Sequence, residues 1–520
     1  MTRTLDLRLG VDVGGTNTDA VVLDQDSRVL AKTKRPTTQD VTGGICEAID
    51  AVVVGSGIDA TRLSHVMLGT THATNAVLER RRLNKVAVIR VGAPSSLAVA
   101  PMFGWPADLV AAVGGFSTVV RGGFEYDGRA IVPFDAKATR NFFDSVAGKV
   151  DAVAVSAVFS PISGEHELAA AAIARKALGE SVPVSMSHEI GSLGLLPREN
   201  ATILNSALTG VAGEVASALS EALASHHIDA AVLFAQNDGT LMALDYAVRF
   251  PILTIGSGPA NSIRGAAFLT GLSDALIADV GGTSTDFGML VSGFPRESSA
   301  AVNIGGVSTN FRMPDVLALP LGGGTVVRHS ADGVALGPDS VGYRLPEEAL
   351  VFGGETVTLT DAAVQSGRAA IGSSVPAPEY TELLTSAIEV ADQCFADGID
   401  RMKVGRGDVP LIVVGGGSVL IPESVAGVSK VLRPEHYDVA NAIGAAIAQV
   451  SGRWDEVVSL LPSRDAAIAA ACDQARNRAI QAGADPDHVE IVEIDEIPLA
   501  YLTEPVARIC VKAVGPLDRL

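Results

Sequence analysis

The chain has 520 residues, with 39 Lys and Arg against 59 Asp and Glu, so its net charge is −20. Hydrophobic residues make up 48% and charged residues 19%, which excludes an intrinsically disordered chain. The negative charge repels phosphate backbones and argues against nucleic acid as a partner. At about 150 residues per domain, the length predicts about three domains.

The composition also bears on the cellular compartment. The four cysteines are far apart and form no C-x-x-C pair, so neither a disulfide framework nor a zinc finger is expected. The first residues lack the apolar core of a signal peptide. The longest uncharged run, 91–107, is broken by glycines and prolines and is not expected to span a membrane. We therefore expect a cytoplasmic protein without a membrane partner, and a homo-oligomer stays open.

Alternating and buried apolar runs predict the elements of the first part of the chain. These are strands over 7–13, 18–23 and 29–34, a helix over 42–54, a strand over 66–69, a helix over 73–81, strands over 85–91 and 152–159, and a helix over 163–178. A Gly-Gly turn joins the first two strands as a β-hairpin. Strands followed by covering helices predict an α/β fold.

The second half opens with a long amphipathic segment, preceded by a candidate hinge near 193–197. The predicted elements are helices over 198–226 and 260–269, a strand over 230–235, Gly-rich short strands after about 305, a helix over 379–401, a strand over 409–414 and a small-residue helix over 439–450. The tail from about 451 has a helix over 466–482 and alternating runs at 488–494 and 508–514. We interpret it as a small α/β appendage.

One segment occurs twice. Asp12-Val-Gly-Gly-Thr-Asn-Thr-Asp19 and Asp279-Val-Gly-Gly-Thr-Ser-Thr-Asp286 differ at one position, and each lies between two apolar strands. Such a repeat indicates two related domains that face each other. The predicted division is an N-terminal lobe over 1–195, a second lobe over 196–450 and the appendage over 451–520.

The repeated turns have the chemistry of a phosphate site. Glycines let backbone N–H groups approach phosphate oxygens and can take positive φ to form an anion-binding nest. The residues predicted to bind nucleotide are Gly14, Gly15, Thr16, Asn17, Thr18, Gly281, Gly282, Thr283, Ser284 and Thr285. The leading carboxylates, Asp12 and Asp279, suit a hydrated Mg²⁺ that bridges to phosphate. The alternative is a pair of structural hairpins whose glycines only make turns.

The two turns and a later strand followed by Gly415-Gly-Gly-Ser418 resemble the actin, sugar-kinase and heat-shock-chaperone ATPase superfamily. That resemblance implies duplicated ribonuclease-H-like lobes that enclose ATP. It also implies that Gly415, Gly416, Gly417 and Ser418 contact the adenosine. Membership of such a superfamily indicates fold and ATP, but not the substrate.

Narrower motifs resemble the hydantoinase A/5-oxoprolinase family. They are the segment from Gly69 to Arg80, Asn237-Asp-Gly239 followed by Ser257-Gly-Pro-Ala260, Leu321-Gly-Gly-Gly-Thr325 with Gly337-Pro-Asp-Ser340, and the segment from Pro197 to Asn205. The resemblance implies an ATP- and Mg²⁺-dependent hydrolase of a cyclic amide, such as a hydantoin or 5-oxoproline. It also implies a second catalytic subunit as a possible partner.

The chemistry implied by the family is phosphorylation of the amide carbonyl oxygen, which turns a poor electrophile into a good one. Asp279, Asp286 and Asp19 are the candidates that orient the attacking oxygen or water, with Asp279 favoured as a metal ligand. Asp19 and Asp286 alternatively bond loop amides. A small-molecule kinase and an ATP-driven factor that remodels a protein partner are the rival functions.

The candidate substrate residues lie at loop and helix junctions: Thr70, Thr71, His72, Asn75, Asn237 and Ser257. Exposed N–H groups and hydroxyls at a strand-to-helix junction bind anions or carbonyls, although Thr71 alternatively caps the helix. His72 is either a proton donor to the substrate or a surface histidine. Ser257 lacks a nucleophile elbow, so a loop hydrogen bond is expected of it.

Overall fold

The computed structural model describes residues 7–37, 41–191, 193–298, 302–311, 313–330, 333–499 and 505–517. The strands are β1 (Leu7–Val13), β2 (Asn17–Leu23), β3 (Val29–Pro36), β4 (Leu63–Thr70), β5 (Val86–Ala93), β6 (Phe116–Arg121), β7 (Ala152–Ala157), β8 (Val184–Met186), β9 (Ala231–Ala235), β10 (Leu241–Ala243), β11 (Ala275–Val280), β12 (Thr285–Val291), β13 (Phe294–Pro295), β14 (Val302–Ile304), β15 (Val307–Thr309), β16 (Val316–Leu319), β17 (Thr325–Ser330), β18 (Gly333–Ser340), β19 (Val409–Val414), β20 (Val428–Leu432), β21 (Val450–Ser459), β22 (Glu490–Pro498) and β23 (Val506–Gly515). The helices are α1 (Val41–Ile49), α2 (His72–Glu79), α3 (Ala107–Ala112), α4 (Ala136–Val146), α5 (Glu165–Leu178), α6 (Ser187–Ile190), α7 (Leu195–Ser225), α8 (Leu244–Arg249), α9 (Ser257–Thr270), α10 (Leu345–Glu348), α11 (Leu359–Gln365), α12 (Thr381–Met402), α13 (Ala440–Ile447) and α14 (Arg464–Gln481).

A nine-stranded sheet carries the first repeat, in the order β22-β23-β21-β10-β9-β4-β1-β2-β3. The predicted hairpin is confirmed, because β1 and β2 pair antiparallel with Asp12 opposite Asp19. Strand β4 lies parallel to β1 on its other side. Buried apolar residues dominate β1 and β2, and α1 and α7 cover one face of this sheet.

A six-stranded sheet carries the second repeat, in the order β13-β12-β11-β19-β20 with β16 also on β12. The second hairpin is also confirmed: β11 and β12 pair antiparallel with Asp279 opposite Asp286. Strand β19 lies parallel to β11, as β4 lies parallel to β1. Helix α12 buries its apolar side against this sheet, where Phe395 meets Phe287.

A third, four-stranded parallel sheet in the order β6-β5-β7-β8 lies between the repeats in sequence. Its strands β6 and β8 and its helix α4 are not among the elements that the sequence predicted, because their apolar runs are short or interrupted. In the described part of the chain, no helix is both long and apolar enough to cross a bilayer.

The nine-stranded sheet contains strands from all three predicted domains. The domain division itself stays a prediction. Strands β9 and β10, from the predicted second lobe, extend the sheet of β1. Strand β21 pairs with β10 and brings β23 and β22 with it, so the predicted appendage continues the same sheet. The candidate hinge near 193–197 includes the first turn of α7, which begins at Leu195.

Two glycine-containing helices, α9 and α13, cross in direct backbone contact between the two large sheets. A Cβ atom placed on Gly265 would lie 1.9 Å from the Ala440 carbonyl oxygen, and one on Gly444 would lie 1.9 Å from that of Asn261. Helix α13 also packs on β1, where Gly10 leaves no room for a side chain. These contacts bring the amino-terminal turns of both helices to the hairpins.

Candidate active site

The tips of the two hairpins meet. Thr16 lies in the first turn and Gly282 in the second, and a Cβ atom on Gly282 would lie 3.1 Å from Thr16 Cγ2. The turns border one cleft of about 390 Å³, a volume typical of ligand sites. The predicted site residues that line it are Asp12, Gly14, Gly15, Thr16, Asn17, Asp19, Thr71, Asp279, Gly281, Gly282, Thr283, Ser284, Asp286, Gly415, Gly416 and Gly417.

Each turn presents backbone N–H groups to this cleft. One N–H closes each hairpin, from Gly14 to the Asn17 carbonyl (3.0 Å) and from Gly281 to the Ser284 carbonyl (2.9 Å). The next two amides of each turn have no acceptor among the described residues. These are the amides of Gly15, Thr16, Gly282 and Thr283. Unpaired N–H groups at two facing turns are suited to phosphate oxygens.

The hairpin glycines do not use left-handed backbone. The prediction that they take positive φ to form a nest is wrong, because the described turns contain no positive φ at Gly14, Gly15, Gly281 or Gly282. At Gly15 the missing side chain leaves open space, since no atom of the described residues lies within 4 Å of a Cβ placed there. A ligand can therefore approach the backbone of the turn closely.

Two glycine-rich loops brace the second hairpin. Gly323 and Gly324 donate to the carbonyls of Gly281 (3.0 Å) and Gly282 (2.7 Å). Gly417 donates to the Val280 carbonyl at 2.8 Å. The motif around residues 321–325 therefore supports the second hairpin, and its Gly323 lines the cleft.

Gly415 is the one predicted nucleotide residue with a left-handed backbone, at φ +85°. A Cβ atom there would lie 2.4 Å from Asp279 Oδ1. Gly69 of β4 has the same relation to the first hairpin, since its Cβ would lie 2.1 Å from Asp12 Oδ1. In each repeat, a glycine therefore makes room for the leading carboxylate.

The four aspartates of the repeats have different partners. Asp12 is buried and accepts a hydrogen bond from Asn441 Nδ2 at 2.8 Å. Asp19 accepts from Lys34 Nζ, and Asp279 accepts from Ser262 Oγ.

The side-chain carboxylate of Asp286 accepts no hydrogen bond from any residue in the described ranges. It is therefore the cleft carboxylate that is open to a ligand or to water.

The cleft holds more negative charge than its own residues neutralise. Desolvation raises the pKa of Asp12 to about 7, and the charge of Asp19 adds to the rise. Desolvation also raises the pKa of Asp286 to about 7, with the charge of Asp279 adding to it. The pKa values of Asp19 and Asp279 are raised by desolvation too, against the opposing effect of Lys34. A bound cation would relieve this repulsion.

The carboxylates suit Mg²⁺ as a companion of phosphate rather than as a caged ion. In the part of the chain that the structure describes, no three His, Cys, Asp or Glu side chains form a metal cluster. Mg²⁺ is usually held by one or two carboxylates, waters and substrate phosphates. Asp12 and Asp279, facing one cleft from two hairpins, fit that donor set.

Three predicted nucleotide residues lie outside the cleft lining. Thr18 is fully buried and contacts Thr37, and Thr285 donates to the Leu321 carbonyl. The reason is strand alternation, because Asn17 and Asp19 on either side of Thr18 point to the cleft. The Ser418 hydroxyl is also buried and has no partner among the described residues. We therefore correct the expectation that these three side chains face the nucleotide.

The predicted substrate residues are only partly brought together. Thr71 lines the cleft, and Asn75 on the next turn of α2 donates to its hydroxyl at 3.4 Å. Thr70 and His72 pair with each other (Oγ1 to Nδ1, 2.6 Å) and border a separate small apolar cavity.

The other two predicted substrate residues are buried. The Ser257 hydroxyl donates to the Thr70 carbonyl at 3.4 Å, which agrees with the expected loop hydrogen bond. Asn237 lies in a tight turn, where its N–H donates to the Leu253 carbonyl. The structure does not place either side chain in the cleft lining.

Several cleft residues were missed from the sequence: Lys34, Ser262, Asn441, Tyr343 and Ile371. For Lys34 a signal existed, because antiparallel pairing of the second and third predicted strands places it opposite Asp19. Ser262 and Asn441 depend on the crossing of α9 and α13, which no local pattern indicates.

Two family models match the chain. The model for the hydantoinase/oxoprolinase N-terminal region matches residues 8–178, and the hydantoinase/oxoprolinase model matches residues 198–371. Caprolactamase subunit alpha of Pseudomonas jessenii is 26% identical over 487 residues, which cover 87% of this chain and 67% of the relative.

Two solved structures share the mixed α/β fold with several sheets. The ATP-dependent caprolactamase from Pseudomonas jessenii superposes with a TM-score of 0.72 at 20% identity, covering 98% of this chain and 88% of that chain. Nucleotide-free acetone carboxylase gives a TM-score of 0.73 at 17% identity over the same shares. With both family models matched in order over most of its length, the chain belongs to the hydantoinase/oxoprolinase family.

Proposed function

We propose that the protein is an ATP-dependent hydrolase of a cyclic amide, such as a hydantoin, 5-oxoproline or a similar lactam. The observation that carries the proposal is the meeting of the two hairpin tips, Thr16 against Gly282, over one cleft. Both tips have N–H groups that find no acceptor in the described part of the chain. The relative named caprolactamase subunit alpha supports an amide as the substrate class.

ATP is the proposed cofactor, with its phosphates between the hairpin tips. The cleft lining also includes the apolar side chains of Tyr343, Leu345, Ile371 and Val419, of which Tyr343 and Ile371 are exposed. Such a surface suits an adenine ring, and Gly415–Gly417 lines the same cleft. We propose that this Gly-rich loop contacts the adenosine.

We propose further that the two large sheets are duplicated actin-like ATPase lobes. The two sheets share an arrangement that supports this. In each, the first strand of the hairpin ends at the leading aspartate and has a parallel strand on its other side. The hairpin β1-β2 has β4 in that position, and the hairpin β11-β12 has β19. The proposed lobes enclose the nucleotide from two sides.

The proposed reaction begins with attack of the amide oxygen on the γ-phosphorus of ATP. The bond from that phosphorus to ADP breaks, and an imidate phosphate forms. Water then adds to the ring carbon, the ring C–N bond breaks as nitrogen takes a proton, and a second water releases inorganic phosphate from the acyl phosphate.

The cleft residues have separate proposed roles in this reaction. Asp12 and Asp279 would hold Mg²⁺, which when bound neutralises phosphate charge. Asp286, whose carboxylate has no hydrogen-bond donor among the described residues, orients the attacking group. Thr71 at the start of α2 is the predicted substrate residue best placed to contact the amide.

A second subunit is the proposed protein partner, since the caprolactamase relative is itself named as a subunit. The division of labour that we propose places ATP use in this chain. Hydrolysis of the activated amide is then completed by this chain or with the partner.

The test is ADP release by the purified chain, with and without a candidate partner, on a panel of hydantoins, 5-oxoproline and larger lactams. Release that depends on an amide and yields a ring-opened product supports the proposal. A stable phosphorylated product would favour a kinase, and stimulation by a protein alone would favour a remodelling factor. Asp279→Asn is expected to abolish release, whereas Asp274→Asn, an exposed residue just before the same strand, is the matched control.

A further inference from the structure

One side chain in the cleft is positively charged. Among the described residues that line the cleft, Lys34 is the only Lys or Arg, and it shares the lining with Asp12, Asp19, Asp279 and Asp286. A triphosphate adds further negative charge to this space. A positive side chain that reaches the phosphates therefore stabilises them more strongly in this cleft than it would at an open surface.

Lys34 lies where the two sheets approach each other. It is on β3, and its Nζ is 2.6 and 2.7 Å from the carboxylate oxygens of Asp19 on the neighbouring strand. The same Nζ donates to the carbonyl of Asp438, which precedes α13, at 3.0 Å. A Cβ atom on Gly416 would lie 3.4 Å from Lys34 Cε. The ammonium group is thus between the first hairpin and the Gly-rich loop of the second repeat.

We infer that Lys34 binds the terminal phosphate of ATP and neutralises the phosphoryl group during transfer, and that Asp19 positions the lysine for this contact. The inference rests on the proposed use of ATP and adds a catalytic residue to it. Lysine is a compact charge with three N–H donors on a flexible stem, so it binds phosphate as a point charge.

The contact fits the proposed transfer step. As the amide oxygen bonds to the γ-phosphorus and the bond to ADP breaks, Lys34 donates to a non-bridging γ-oxygen and keeps its proton. Its present bond to Asp438 is to an uncharged carbonyl oxygen and is exchanged for this one, while the bond to Asp19 holds the side chain. Asp19 is then a positioning residue, because both of its oxygens are occupied by Lys34.

The test compares nucleotides that differ only in the terminal phosphate. Lys34→Met is expected to weaken binding of a non-hydrolysable ATP analogue by about tenfold or more, while ADP binding is unchanged. Turnover is expected to fall by about a hundredfold or more. Calorimetry gives the affinities and ADP release gives kcat.

Lys32→Met is the matched control, because Lys32 is on the same strand and pairs with the Asp438 carboxylate without lining the cleft. It is expected to change neither affinity nor kcat. If Lys34→Met does not fold, Lys34→Gln keeps a donor for Asp19 and carries the same expectation. An equal loss for ADP and the ATP analogue, or no loss for either, would overturn the inference. A wild-type protein that binds no ATP would instead overturn the proposed function.

Discussion

Replacing Gly69 by alanine tests whether the position of the Asp12 carboxylate governs turnover. Gly69 lies in β4 directly beside Asp12, and its added Cβ would be 2.1 Å from Asp12 Oδ1 and 2.6 Å from Asn261 Nδ2. Unstrained non-bonded contacts need roughly 3.5 Å, so the carboxylate must move by about 1 Å. The strand backbone of Gly69 has no positive φ and accepts alanine without strain.

A shift of about 1 Å in a catalytic group costs about a hundredfold in rate, so kcat for amide-dependent ADP release is expected to fall by that factor. A melting curve checks that the variant is folded. Gly405→Ala is the control, since nothing lies within 4 Å of its added Cβ and its backbone is also free of positive φ. A folded Gly69→Ala protein with wild-type kcat would refute the assignment of Asp12 to the reaction.

Three other substitutions test separate parts of the structure. In Gly15→Ala the added methyl group has no atom of the described residues within 4 Å, so we expect unchanged thermal stability. We expect weaker nucleotide binding by calorimetry, and unchanged binding would exclude close approach of phosphate to this turn. Lys512→Met removes the buried ion-pair partner (2.8 Å) of Asp238, whose side chain is 14% exposed. We expect about 3–5 kcal/mol lower stability by denaturant unfolding, and a loss under 1 kcal/mol would contradict this. Burial opposes charge on both His188 and Glu167, but their hydrogen bond raises the pKa of His188 above 6.5 and lowers that of Glu167 below 4.5. The stability from Glu167 is lost as pH falls below about 4.5, and that from His188 is lost as pH rises above about 6.5. His188→Gln should therefore reduce the drop in melting temperature between about pH 6 and pH 9, and an unchanged drop would contradict the pairing.

The hairpins were predictable because a short, continuous stretch of sequence determines each of them. Two aspartates seven residues apart, with Gly-Gly between them, fix a tight turn and place the carboxylates opposite each other in the strand pair. The alternation that puts Asp19 in the cleft also excludes Thr18 from it. The two-residue period of a strand therefore predicts that Thr18 and Thr285 point away from the cleft, whereas the burial of Ser418 does not follow from it.

The role of the C-terminal segment was not predictable in the same way. Strand β21 joins the nine-stranded sheet through a single pairing, Leu241 opposite Val450. Lys512 of β23 then forms a buried ion pair with Asp238, in the turn next to Asn237. Both contacts join residues more than 200 positions apart, so no spacing or periodicity in the chain indicates them.

The crossing of α9 and α13 fixes the two leading carboxylates relative to each other. Asn441 of α13 donates to Asp12, while Ser262 of α9 donates to Asp279. The helices touch backbone to backbone at Gly265 and Gly444, so neither slides on the other without a steric clash. The small residues of α13 make this close packing possible. Because that packing sets where Asn441 and Ser262 stand, the same residues determine the geometry of the carboxylates in the cleft.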